Sequence, residues 1–288
     1  MRINWALLLA FWAGMSWAAS VEIRGELRPG GYGIVQAPTG SVVRYNGRTI
    51  RVDALGQLPI GFARDQRQAV VEVQLPDGRR IKRSVALAPR QYDIQRINGL
   101  KKQHVTPDKE TLKRIRADIA KAKAARRLFL RQPKGWLQRP FVWPTGGIIS
   151  GVYGSQRILN GQPRRPHFGV DIAAPRGTPV YAPAEGKVTL AASMVLSGNT
   201  LMIDHGYGLR STFMHLQRLR VKPDSWVKKG QLVGEVGATG RATGPHLHWG
   251  MSWFNVRLDP ALFVGVSTLQ KGDRVRANTT AVAKSAGK

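Results

Sequence analysis

The chain contains no cysteine. That excludes disulfide staples and any mechanism built on a reactive thiol, so stability must come from an apolar core. Acidic residues are scarce: 17 Asp and Glu stand against 45 Lys and Arg, a formal net charge of +28. Past the N-terminal run, no stretch is long and apolar enough to cross a bilayer. No serine-centred nucleophile turn occurs, which removes serine hydrolysis from the candidates. The 288 residues suffice for one large or two small domains with real cores.

What is present begins with a secretory pattern. Arg2 supplies a positive end, "WALLLAFWAGM" a short apolar run, and "SWAAS" the small residues of a cleavage site. The run is too short to span a membrane comfortably. Residues 1–19 are therefore expected to leave as a signal peptide, with cleavage after Ala18 or Ala19. In an exported chain, the positive charge points to an anionic partner outside the cytoplasm: a cell-wall polymer, other anionic envelope polymers or a membrane surface. Export argues against nucleic acid.

A mainly β chain is expected. Residues 20–97 read as a small N-terminal β domain. "SVVRYNGRTIRVDA" is two alternating runs joined by Asn46-Gly47, and "AVVEVQLPDGRRIKRSVAL" repeats the pattern around Asp77-Gly78. Strands at this spacing suggest a sandwich, and no catalytic constellation lies in it. Residues 98–135 form a basic helical connector. Thr106 is the expected cap and Pro107 suits the first turn; Leu112, Ile115, Ile119, Ala122 and Phe129 make one stripe. Lys113, Arg114, Arg116, Lys121, Lys123, Arg126 and Arg127 cover the other face, and Pro133 ends the helix. Residues 136–267 return to β structure with tight turns, and 268–288 read as a disordered basic tail.

Five of the six histidines lie between 167 and 248. His167 and Asp171 are four apart in "HFGVDIAAP", whose Gly and Pro oppose a helix. Their convergence requires a bend at Gly169, with His167 on a loop and Asp171 on the strand that follows. "GPHLHWGM" places His246 and His248 on one strand face. His215 ends the alternating strand "STFMHL". Two histidines and one carboxylate suit Zn²⁺ and leave a position for water, and the remaining imidazoles can move a proton or hold an oxyanion. The residues alone leave open which histidine of the HxH pair binds metal. His205 in "DHGYG" reads as a turn residue, and Glu185 in "AEGKV" as a hairpin tip.

"HFGVD", "STFMHL" and "GPHLHWGM", in this order, resemble the zinc peptidases of family M23, the LytM or lysostaphin type. The stretch "GVYGSQRILNGQPRRPHFGVDIAAPRGTPVYAPAEGKV" is similar to the Gram-negative cell-wall endopeptidases of that family. The resemblance covers roughly residues 140 to 265. It implies an antiparallel, β-rich catalytic domain that holds one Zn²⁺ through His167, Asp171 and His248, with His215 and His246 catalytic. It further implies a periplasmic enzyme that cuts peptide cross-links of peptidoglycan. The alternative is a catalytically silent wall-binding activator of another hydrolase. Members of that kind lack metal ligands, whereas all five positions are intact here.

Overall fold

A computed structural model describes residues 20–97, 108–131, 140–159, 161–278 and 282–283. The expected signal segment, His104, Thr106, Pro107 and Pro133 lie outside these residues. No helix among the described residues is long and apolar enough to cross a membrane.

The N-terminal part contains β1 (Glu22–Gly25), β2 (Tyr32–Gln36), β3 (Val42–Tyr45), β4 (Arg48–Arg51), β5 (Gln57–Gly61), β6 (Gln68–Gln74) and β7 (Arg80–Ala86). One sheet has the order β1-β2-β5 and the other β4-β3-β6-β7. Alternation sets the inner face: Ala69, Val71 and Val73 of β6 are buried while Val70 between them is exposed. Asn46 and Gly47 both take positive φ, 47° and 69°, so Tyr45 pairs with Arg48 across a two-residue turn. Strand β8 (Ile94–Ile97) departs from the expected domain limit. It leaves the sandwich and pairs in parallel with a strand of the C-terminal half.

Helix α1 (Lys109–Ala125) is capped by Asp108, whose carboxylate accepts the Thr111 N–H at 2.7 Å. The cap is therefore two residues later than Thr106. The expected apolar stripe divides. Ala122 and Ala125 pack with Leu190, Met194 and Met202, whereas Ile119 is 60% exposed. Phe129 lies beyond the helix and stacks on Phe254, ring centroids 5.8 Å apart. The helix meets the C-terminal sheet through Ala122 and Ala125 and through Asp118, whose carboxylate accepts the Val195 N–H at 2.7 Å.

The C-terminal half contains β9 (Gly147–Gly151), β10 (Gln156–Leu159), β11 (Gln162–Pro163), β12 (Val170–Ala173), β13 (Pro179–Tyr181) and β14 (Gly186–Met194). These are followed by β15 (Gly198–Gly206), β16 (Leu209–Leu216), β17 (Arg218–Leu219), β18 (Trp226–Val227), β19 (Leu232–Glu235) and β20 (His246–Trp253). The chain then runs through β21 (Val256–Leu258), α2 (Pro260–Phe263), β22 (Arg274–Val275) and β23 (Val282–Ala283). A ten-stranded sheet has the order β18-β14-β15-β16-β20-β12-β9-β22-β23, with β21 on β20. Its contacts along β14-β15-β16-β20-β12-β9 are antiparallel. The expectation of disorder over 268–288 fails at β22, which pairs with β9 and buries Val275 to 2% exposure. That pairing covers an edge that β9 would otherwise leave open.

The two halves share one continuous apolar core. Tyr45 meets Trp253 at 5.5 Å between ring centroids, and Tyr32 stacks on Phe263 at 4.3 Å. Gly61 permits this approach, because a Cβ there would lie 2.8 Å from the Trp253 Cβ. At the same junction the Arg90 guanidinium pairs with Asp259, which also caps α2 by accepting the Ala261 N–H.

Candidate metal centre and active site

His167 lies on the loop before β12, Asp171 on β12 and His248 on β20. Pairing of β12 with β20 sets Asp171 directly opposite His248. The three donor atoms converge: His167 Nε2 is 3.0 Å from Asp171 Oδ1 and 3.1 Å from His248 Nδ1, and the latter is 2.8 Å from the same carboxylate oxygen. His167 Nδ1 sits 3.0 Å from the Val152 carbonyl. A carbonyl only accepts, so Nδ1 carries the proton and Nε2 turns a lone pair to the centre. Lone pairs this close require a proton or a cation among them. The donor set thus fits a metal ion of the Zn²⁺ kind, held by two imidazoles and a carboxylate.

The electrostatics agree with the geometry. Burial alone would raise the Asp171 pKa, but the His167 and His248 rings, whose protonated forms pair with the carboxylate, hold it far below the usual carboxylate range. Burial opposes a charge on His167, yet the Asp171 carboxylate outweighs it and raises that pKa. For His248 burial wins, and its pKa falls despite Asp171.

Gly169 does bend the chain between His167 and Asp171, but its main constraint is space. A Cβ there would meet His248 Cε1 and the Trp249 carbonyl, both at 2.6 Å. Gly151 plays the matching part beneath Asp171, where a Cβ would lie 2.5 Å from Oδ2.

His215 and His246 form a second pair, ring centroids 4.8 Å apart. His215 Nδ1 donates to the Thr239 carbonyl at 2.8 Å, and His246 Nδ1 to the Gly244 carbonyl at 2.9 Å. Each ring therefore keeps a free Nε2 lone pair. His215 has a φ of 65°, a conformation that a β-strand residue adopts only when its surroundings enforce it. Its pKa is lowered first by burial, then further by His246 and His248. It stays neutral and able to take a proton near pH 7.

His205 takes no part. The turn falls at Tyr207–Gly208, with φ values of 50° and 83°, so His205 lies inside β15. It is fully buried, bonded to the Glu185 carbonyl at 2.7 Å and Ser211 Oγ at 2.8 Å. Thr239 is a site residue that no sequence pattern marks. Its carbonyl orients His215, while its hydroxyl donates to the Leu216 carbonyl and accepts the Asn199 N–H. A backbone carbonyl leaves no mark in a residue pattern, so no sequence signal could have singled it out.

The donor cluster opens into a cavity of about 820 Å³, with α1 as one wall through Ile115, Ile119 and Ala122. No lining residue comes from 20–92; Asp93 and Gln95, just before and within β8, are the part of the N-terminal half that reaches the cavity. A converging metal-ligand trio in this cavity, with two oriented imidazoles nearby but outside its lining, is equipment for hydrolysis assisted by a metal.

Comparison with known proteins leads to the same class. The profile of peptidase family M23 matches residues 165–260. A solved structure from Pseudomonas aeruginosa, assigned to peptidase M23, is 31% identical. That match covers 84% of this chain and 96% of that one, with a TM-score of 0.64. The chain belongs to peptidase family M23. It is also 44% identical over 84 residues to the peptidoglycan DD-endopeptidase ShyB of Vibrio cholerae, 29% of this chain and 20% of that protein. A third similarity is to the DD-carboxypeptidase/endopeptidase Mpg of Neisseria meningitidis: 44% over 85 residues, 30% of this chain and 20% of that protein. The matched stretch spans only 20–27% of the length of the first curated relatives.

Proposed function

We propose that this chain is an exported zinc endopeptidase that hydrolyses peptide cross-links of peptidoglycan in the periplasm. The observation that carries this reading is the convergence of His167, Asp171 and His248 beside the oriented pair His215 and His246. The names of the relatives supply the substrate class, and the secretory pattern of residues 1–19 supplies the compartment.

His167 Nε2, Asp171 Oδ1 and His248 Nδ1 would hold the ion. When bound, zinc supplies Lewis acidity that acidifies a water and polarises the scissile carbonyl. The remaining work falls to side chains. One imidazole of the His215/His246 pair accepts the proton of the attacking water at Nε2. The other can donate to the oxygen that gains negative charge only as an imidazolium, with a proton on Nε2 as well as on Nδ1. The C–N bond then breaks. The proton passes to the departing amine, so one water is added across the amide. Fixing Nδ1 of both rings on carbonyls aligns them before substrate arrives.

The test is incubation of the purified mature chain with cross-linked sacculi, with and without a zinc chelator, followed by mass spectrometry of released muropeptides. Chelator-sensitive conversion of cross-linked dimers to monomers is the expected result. A zinc-loaded protein that leaves dimers intact would overturn the enzymatic reading.

A further inference from the structure

The cavity carries a second cluster of charged groups that hydrolysis does not use. Arg126, Arg165 and Arg257 line the same space as His167, Asp171 and His248. They arrive from three places: the C-terminal cap of α1, the loop two residues before His167, and β21. Arg257 and Arg126 are half-buried, and Arg165 stands at the exposed mouth. Among the described residues none of the three forms an ion pair with a carboxylate, although the neighbouring Arg210 has Asp204 at 3.0 Å.

The three charges repel one another. Burial, then the charges of Arg126 and Arg165, push the Arg257 pKa down to about 10. Burial, Arg210 and Arg165 lower that of Arg126. Guanidinium remains protonated at neutral pH even so, and three positive charges must share one wall. Arginines elsewhere on this basic chain pair with acids on open surface, as Arg44 does with Glu72 and Arg79 with Asp77. An anion entering the cavity would relieve the repulsion and receive planar, forked donors that suit a carboxylate.

We propose that Arg126, Arg165 and Arg257 form a subsite that binds a carboxylate of the peptide substrate next to the scissile amide. The proposal rests on the peptidase reading and adds a requirement that the substrate be acidic. The guanidiniums are specificity determinants and take no part in breaking the bond.

The experiment compares a purified cross-linked muropeptide dimer bearing free carboxylates with the same dimer after chemical amidation. The full chain, Arg257→Gln, Arg126→Gln and the surface control Arg44→Ala are each measured for kcat/KM by mass spectrometry and for binding by calorimetry. The full chain is expected to prefer the acidic dimer by about tenfold or more, the scale of a charge-assisted hydrogen bond. Arg257→Gln and Arg126→Gln should lose that preference while still cleaving the amidated dimer, and Arg44→Ala should retain it. Equal cleavage of both dimers by the full chain overturns the subsite, as does an equal loss on both in each Gln variant. If the full chain cleaves neither dimer, the peptidase reading fails separately, and calorimetry decides the subsite. Tighter binding of the acidic dimer, lost in the Gln variants, upholds it; equal or absent binding overturns it.

Discussion

The sandwich and the ten-stranded sheet follow the same alternation but treat their polar faces differently. In the sandwich, outward residues such as Arg44 and Glu72 meet as solvent-exposed pairs, and such pairs hold little energy. In the sheet, the outward face of β20 and its neighbours carries His246, His248, Asp171 and Arg257, each placed by register or by a carbonyl behind it. One face tolerates exchange of its residues. The other depends on angles and distances that a single added Cβ would spoil.

The comparison can be broken most severely at the ligands. His248→Ala or Asp171→Ala is expected to abolish both zinc retention and cleavage, read by metal analysis and muropeptide release. Secondary structure should persist in circular dichroism. Next come His215→Ala and His246→Ala, expected to reduce kcat by about 10²- to 10⁴-fold while zinc content is kept, as for loss of a general acid or base. Loss of zinc from either variant would show that these rings support the ligands instead.

In the sandwich, Ile60 is fully buried, and Ile60→Ala should cost about 2–5 kcal/mol. Because the core is continuous, calorimetry should show one transition moving to lower temperature. Two separated transitions would contradict a shared core. A smaller effect is expected from acid. Burial lowers the pKa of His205 from 6.5 to about 4. Between these pH values the unfolded chain binds more protons, so stability falls as pH drops, by up to about 3 kcal/mol. Above pH 6.5 this group contributes no slope. Denaturant titrations across the window should steepen for the native chain and flatten for His205→Gln. The smallest effect belongs to Arg44→Ala, expected to change stability by at most about 1 kcal/mol and to leave cleavage unchanged.

Much of this was legible in the residues. Asn46-Gly47 marked a turn because few residues accept positive φ at two successive positions. The HxH pair marked a strand face because alternation has a period of two. The ends of elements were read less well. The sequence points to Thr106 as the cap of a helix that Asp108 caps, because several polar residues near a helix start can compete for the same N–H groups. The glycines of "DHGYG" suggest a turn at His205, but the bend falls two residues later and the ring is core. The basic tail concealed β22, since a two-residue strand leaves no periodic trace and is defined by the edge it pairs with.

By itself the sequence determined the β character, the positions of the tight turns and the chemical types available for a metal centre. These follow from local rules: side-chain alternation, turn conformation and the donor atoms each residue carries. Only the tertiary structure decided which atoms meet. It set Asp171 opposite His248 through strand register, aimed His215 with the Thr239 carbonyl, merged two halves into one core and gathered three arginines on one wall. Such contacts join residues far apart in the chain. They arise from closure of the sheet and burial of apolar surface, which no short stretch of residues specifies alone.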